Sequence, residues 1–384
     1  MFSRRIDAAL EGRRTAALDR KITVIEGGNQ PNFRLGSMCY TNFSSNDYMG
    51  LASSNELSKA WQEGIDKYGV GSGASPLVTG FSTAHKRLEE TLCTWLGFER
   101  AILFSSGFSA NQAVLFSLLE KQDLLIQDKL NHASLMEAGM LSPASMKRFK
   151  HNDVNHLDEV LSTKKQSLVV TEGVFSMDGD LAPLSEIAEL TSRHGNWLMV
   201  DDAHGVGVLG ENGAGSSNEA NIEPQVLVVT FGKAFGLSGA AVLCSSALGD
   251  YLTQFARHHV YSTAIPPSQA HALTHATAML QNQHWRRDKL LNLYDTYNAV
   301  LSGTSGFVET KTPIKPFICG DVAKTMALAD SLKKEGNWVT AIRPPTVPKE
   351  SSRIRITLTA NHTTKQVTDL ANSIIQFSEK NNKG

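Results

Sequence analysis

The sequence predicts an α/β protein, a mostly parallel sheet layered with helices and followed by a smaller α+β region. Three patterns predict it. Between residues 101 and 243, short apolar runs of strand length alternate with helix-spaced stretches, the texture of strands buried on both faces. Nearly every run ends in small or polar residues, and in such sheets ligands gather at the carboxyl ends of the strands. Residues 353–359 then alternate strictly, with Arg353, Arg355, Thr357 and Thr359 on one side and Ile354, Ile356 and Leu358 on the other. That pattern predicts a strand half buried and half exposed.

Taken in order, residues 3–19 place Ile6, Ala9, Leu10 and Ala17 at helical spacing, which predicts an amphipathic helix laid on the body of the protein. Arg4, Arg5, Arg13 and Arg14 are accompanied by Asp7 and Glu11 and by no apolar stretch, unlike a secretory signal. Gly27-Gly28, Pro31 and Gly36 mark a short ribbon leading to the loop Asn42–Tyr48. Leu88, Leu92 and Leu96 stripe a helix over 82–96, and Leu184, Ile187, Ala188 and Leu190 another over 184–193. The strand candidates are residues 101–104, 124–127, 168–171, 197–200, 226–230 and 240–243, with right-handed crossovers expected between parallel neighbours. A long helical region covers roughly residues 267–301, and Leu328 and Leu332 share the face of a further helix. Residues 338–342 predict a strand broken by Arg343-Pro344-Pro345, and Val367, Leu370, Ala371 and Ile374 stripe a last helix. The expected division is 1–45, a helix and ribbon packing with the small domain, then 46–290, the large domain, and 291–384, the small one.

The 384 residues carry 37 basic and 38 acidic side chains, a net charge of −1, with 20% charged and 41% hydrophobic residues. That balance excludes a disordered chain and argues against a nucleic-acid binder, which needs a concentrated basic surface. No apolar run approaches the roughly 18 residues of a membrane span. Cys39, Cys93, Cys244 and Cys319 are far apart in no paired spacing, so reduced thiols and a cytoplasmic location are expected. His151, His156 and Glu172 form no recognised metal-ligand spacing, and no metal is expected.

The candidate chemistry sits at the strand ends. Lys233 follows an apolar run in Thr230-Phe231-Gly232-Lys233-Ala234-Phe235-Gly236, where small neighbours let a partner approach the amine. A lone lysine is ordinarily a solvated charge; one with a lowered pKa forms a Schiff base with an aldehyde cofactor. Asp201, after Trp197-Leu198-Met199-Val200, is either a cap or loop salt bridge, or the carboxylate that keeps a pyridine nitrogen protonated. His204 is either a donor to the phenolic oxygen of such a ring or a structural cap of its loop. Ser105–Asn111 offers N–H groups at a helix start for a phosphate, although Ser-Gly clusters also make ordinary turns. His132 is a planar ring available to stack or to serve the structure alone. Gly69–Ser75 resembles a dinucleotide loop superficially, but no strand precedes it and Pro76 follows. An aldehyde-binding lysine, a ring-nitrogen acid and a phosphate cradle are three separate demands of pyridoxal 5'-phosphate (PLP), and their combination points to that cofactor.

Thr171–Asp180, Asp201-Asp202-Ala203-His204-Gly205 and Thr230-Phe231-Gly232-Lys233 resemble the α-oxoamine synthases, PLP enzymes that join an amino acid to an acyl thioester. The likeness runs from Arg13 to about Thr359. It implies PLP fold type I, an aspartate-aminotransferase-like large domain with a seven-stranded, mostly parallel sheet, plus a small α+β domain joined by the N-terminal segment. It also implies roles. Lys233 would hold the cofactor aldehyde and Asp201 its pyridine nitrogen, with His132 stacked on the ring and His204 and Ser176 at its polar edge. Gly107, Phe108 and Thr230 would hold cofactor and phosphate. Gly73–Ser75 would reach the phosphate of a partner subunit in a homodimer with shared active sites, although this chain reads Ala74-Ser75-Pro76 where relatives are richer in glycine. Arg355 would receive the amino acid's carboxylate, Asn46, Thr346 and His132 would lie by substrate, and Arg20, beside Asp19, would stand for a substrate-side arginine of relatives. Catalysis would fall to Lys233, His132 and Asp201.

Asn42–Tyr48, Phe149–Asp153 and Ala341–Pro348 are most similar to the branch that condenses L-alanine with a pimeloyl thioester, on coenzyme A or acyl carrier protein. A glycine-using relative, such as 2-amino-3-oxobutyrate:CoA ligase or 5-aminolevulinate synthase, is the alternative, since one methyl group in a pocket is worth only about 1–3 kcal/mol. A nonenzymatic binding or scaffold protein keeping the fold is a further alternative, opposed by the presence of Lys233 and Asp201.

Overall fold

The computed structural model describes residues 1–15, 18–162 and 166–382. A helix over Phe2–Thr15 opens the chain, and Ala17, the last apolar position of its pattern, lies outside the described residues. None of its 14 residues is buried, and Phe2, Ile6 and Leu10 are exposed, so it is not laid on the body as expected. The apolar stripe is too narrow to offset the desolvation of the arginines around it. Strands β1 (Asn32–Leu35) and β2 (Met38–Asn42) follow as the expected short ribbon, and they pair antiparallel.

The main sheet contains β3 (Arg100–Phe104), β4 (Leu124–Asp128), β5 (Ser145–Phe149), β6 (Ser167–Glu172), β7 (Trp197–Asp201), β8 (Val226–Thr230) and β9 (Ala240–Cys244). Their order is β3-β9-β8-β7-β6-β4-β5. Strand β9 runs antiparallel to both neighbours, and the other pairings are parallel. Successive residues of the central strands feed two apolar layers. Ile126, Val169, Val200 and Leu227 pack on one face, and Leu125, Val170, Met199 and Val228 on the other. That two-sided burial is why these runs lack alternation. Strand β5 had no apolar run to announce it, because Ser145-Met146-Lys147-Arg148 lies at a sheet edge where charges meet water and block further pairing. Helices Thr83–Leu96 and Leu184–Arg193 match their sequence stripes.

The expected long helical region is two helices, Pro267–Asn282 and Trp285–Leu301. Gln283 leaves the helical conformation between them, and its Oε1 accepts from Arg286 Nε at 2.8 Å while Arg286 also donates to the Met49 carbonyl at 2.7 Å. Beyond lie β10 (Ile314–Gly320), β11 (Asn337–Trp338), β12 (Thr340–Ile342) and β13 (Ser352–Thr357), with helices Val322–Lys334 and Thr364–Asn382. The single strand expected over 338–342 is divided between two sheets. Strand β11 pairs in parallel with β2 of the N-terminal ribbon, and β12 joins an antiparallel sheet of order β10-β13-β12.

Strand β13 corrects a second expectation. It is buried on both faces rather than half exposed. Its polar face meets the loop that follows β6, where Arg353 pairs with Asp178 and Arg355 Nε donates to the Ser176 carbonyl at 2.6 Å. Period-two alternation shows that the two faces differ; it does not show that the polar one meets water.

Candidate active site

The carboxyl edge of the main sheet delivers the site. After β3, Ser106 caps the helix Gly107–Leu118, its Oγ accepting from the Ser109 N–H at 3.1 Å. A Cβ at Gly107 would lie 2.5 Å from Thr230 Cγ2, so only glycine lets the first turn close onto the end of β8. After β4, His132 caps the helix Ala133–Leu141. Glu172 ends β6, Asp201 ends β7, and Lys233 stands three residues beyond the end of β8. Together with Asn46, Phe108 and His204 these residues line one cavity of about 310 Å³.

Its polar groups form a chain. Asp201 Oδ2 accepts from Asn111 Nδ2 at 2.7 Å, and its Oδ1 from the Ala203 N–H at 3.1 Å. Asn111 also donates to Ser134 Oγ at 2.9 Å, and that hydroxyl lies 2.9 Å from His132 Nδ1. The Ser134 N–H points at the same Nδ1 at 3.3 Å, so Nδ1 accepts and the neutral ring carries its proton on Nε2. Desolvation lowers the His132 pKa, and Lys233 adds to this against the pull of Asp201.

Burial lowers the Lys233 amine, Arg355 reinforces that shift, and the Asp201 and Glu172 carboxyls oppose it. His204 is held well below the ordinary imidazole range, by burial first and then by the positive charges of Lys233 and Arg355. Its Nδ1 lies 2.7 Å from the hydroxyl of Tyr48, a buried phenol pushed up to about 12 by desolvation. At the cavity's rim Arg355 donates to Asn46 Oδ1 at 3.1 Å.

These residues fit PLP on the chain's own features. Thr230 Oγ1 is buried and has no hydrogen-bond partner among the described residues, beside the glycine cradle of a helix N-terminus, which is how a phosphate is met. A buried carboxylate and a lysine of lowered pKa share the same space.

Of the residues singled out from the sequence, Asn46, Gly107, Phe108, His132, Asp201, His204, Thr230 and Lys233 line this cavity. Ser176 and Arg355 meet each other at its edge. Arg20 and Thr346 are also brought together, but in a second cavity of about 700 Å³ that shares no lining residue with the first. Sequence reasoning missed Asn111, Ser134, Tyr48 and Glu172. Asn111 had one local signal, its place one helical turn after Gly107 on the same face.

A model of the class I and II aminotransferases matches residues 40–374. The chain is 63% identical over 382 residues to the 8-amino-7-oxononanoate synthase of Vibrio atlanticus, covering 100% of this chain and 95% of that one. Among solved structures it resembles a serine palmitoyltransferase from S. paucimobilis with a bound PLP-myriocin aldimine, at 26% identity and TM-score 0.91 over 98% of each chain. It also resembles the 8-amino-7-oxononanoate synthase of Francisella tularensis, at 30% identity and TM-score 0.79 over 90% of this chain and 98% of that one. The main sheet is that of PLP fold type I, and the cofactor is PLP. On these grounds the chain belongs to the class I and II aminotransferase family, within its 8-amino-7-oxononanoate synthase branch.

Proposed function

We propose that this chain condenses L-alanine with a pimeloyl thioester, on coenzyme A or acyl carrier protein, giving 8-amino-7-oxononanoate, CO2 and free thiol for biotin synthesis. The observation that carries the reading is that Lys233 and Asp201, brought from separate strand ends, face one cavity.

Lys233 would hold the cofactor by its aldehyde carbon, Asp201 by its pyridine nitrogen, and Thr230 with the N–H groups of Gly107 and Phe108 by its phosphate. His132 would cover the ring, with His204 and Ser176 at its polar edge. Bound PLP supplies an electron sink for charge developing at the substrate α-carbon. The Asp201 carboxylate, accepting from Asn111 and Ala203, keeps a proton on the ring nitrogen. The Lys233 amine loses its own proton more readily than an ordinary lysine, which suits it to take the α-proton of alanine and later return one. Arg355 binds the alanine carboxylate until that group leaves as CO2. His132 donates from Nε2 to the acyl oxygen. The α-carbon bonds to the acyl carbon as the C–S bond breaks, and the departing sulfur takes up a proton.

Arg20 and Thr346 would serve the acyl donor from their shared cavity. A homodimer with Gly73–Ser75 of each chain near the other's phosphate completes the reading, with the cytoplasm as its compartment. Among the described residues no helix is long and apolar enough to cross a membrane.

The test is a product screen by mass spectrometry on PLP-loaded protein, pairing alanine or glycine with pimeloyl-CoA, pimeloyl-carrier protein or acetyl-CoA. Thiol, CO2 and 8-amino-7-oxononanoate are expected from alanine with a pimeloyl donor. Product from glycine with acetyl-CoA alone would reassign the chain to a glycine-using synthase. Lys233→Ala should abolish both product and the borohydride-sensitive visible absorption of the loaded protein.

A further inference from the structure

The cofactor cavity holds a second carboxyl that this mechanism leaves unused. Glu172 and Asp201 are direct partners across the pairing of β6 and β7, so both side chains reach the same edge. They are treated differently by their surroundings. Both Asp201 oxygens accept hydrogen bonds, from Asn111 and Ala203. Glu172 is 2% exposed, and its Oε1 has no partner among the described residues.

The titratable groups facing Glu172 are Asp201 from β7, Lys233 from beyond β8, and Asp128 from the end of β4, with His132 following in the turn after β4. Two carboxyls this close in a desolvated site do not both ionise. The charge settles where N–H donors meet both oxygens, and the proton where one oxygen is bare. Burial and the Asp201 charge accordingly push Glu172 well above the ordinary carboxylate range. A second anion here would also hold a proton on Lys233, against that residue's work as a base.

We propose that Glu172 works as a neutral carboxylic acid, a positioning residue whose Oε1–H donates to the bound cofactor and leaves Asp201 as the ionised partner. This rests on the PLP reading above. An amide presents a donor in the same place, so Glu172→Gln keeps the interaction, whereas Glu172→Leu removes it.

The test compares PLP-loaded wild type, Glu172→Gln and Glu172→Leu by infrared difference spectroscopy, by PLP affinity, and by the pH midpoint of the cofactor's visible absorption. A deuterium-sensitive carboxylic-acid C=O band is expected in the wild type and absent from Glu172→Gln. Glu172→Gln should keep the PLP affinity and the midpoint, while Glu172→Leu binds PLP about tenfold more weakly, the loss of roughly one neutral hydrogen bond. Absence of the acid band, or a midpoint displaced by about one pH unit in Glu172→Gln, overturns the proposal. If Glu172→Leu fails to fold, the glutamine variant and the infrared band decide alone. Protein that takes up no PLP overturns both this and the functional reading, whereas PLP uptake with a displaced glutamine variant overturns this inference only.

Discussion

Asn111 donates its Nδ2–H to Asp201 Oδ2 at 2.7 Å from within the helix whose first turn opens on the same cavity. Through Ser134 the same amide is linked to the His132 ring, so the acid expected at the ring nitrogen and the imidazole expected on the ring face share one network. Asn111→Ala should cost about 1.5–3 kcal/mol, the worth of a buried hydrogen bond to a charged group. It should also weaken PLP binding. Urea unfolding and a PLP titration read the two effects.

Gly107 predicts a steric effect that a second substitution relieves. The added Cβ of Gly107→Ala would meet Thr230 Cγ2 at 2.5 Å, inside van der Waals contact. PLP affinity should fall in the single variant. Gly107→Ala combined with Thr230→Ser, which lacks that methyl group, should recover much of it. No recovery in the double variant would show that the clash is not the cause.

His151 clamps the loop after β6. Its Nδ1 lies 3.0 Å from Asp128 Oδ1 and its Nε2 2.7 Å from Asp180 Oδ2. Burial lowers the ring's pKa, but the two carboxylates outweigh it and raise the group from 6.5 to about 9. A folded-state value above the unfolded one means that the folded protein binds the extra proton between them. The contribution is therefore complete below pH 6.5 and lost as pH rises through about 9. The difference in Tm between wild type and His151→Asn should be large at pH 6 and shrink toward about pH 10.

Lys315 predicts the opposite slope. It is fully buried, donates to the Thr310 carbonyl at 2.6 Å, and lies 4.2 Å from the Tyr294 ring centre. Desolvation lowers it from 10.5 to about 7, against the weaker pull of Glu309 and Asp295. The unfolded chain then binds more protons between these values, so stability falls as pH drops from 10.5 and levels off below about 7. Lys315→Met should raise Tm near pH 7 relative to wild type, and the advantage should vanish by pH 10.5. Thermal melts across that range decide it.

The parts of the site legible in advance were those tied to strand ends. Lys233, Asp201, Thr230 and Gly107 each sit where an apolar run stops, and in a mostly parallel sheet such ends converge whatever the loops do. Asn111 carried no comparable mark, and Glu172, although it too follows an apolar run, carried no sign of which groups it would face. A polar residue inside a helix resembles a solvated one until its neighbour from another strand is known, and Glu172 could equally have been an ordinary loop acid. Strand β5 was invisible as an apolar run because its edge position removes the need for one. The division of residues 338–342 between two sheets was equally hidden, since the partner of Trp338 is Asn42, far away in the chain.

Local pattern thus settled the α/β class, most of the central strands and the kind of cofactor, because strand burial and the demands of an aldehyde-bearing ring act on residue types within short stretches. Folding alone decided which carboxyl burial and a neighbouring charge push above the ordinary range, which polar faces are covered, and that Arg20 and Thr346 lie in a cavity apart from Lys233. Proton affinity and burial depend on groups from several strand ends at once, and those distances exist only after the sheet has closed.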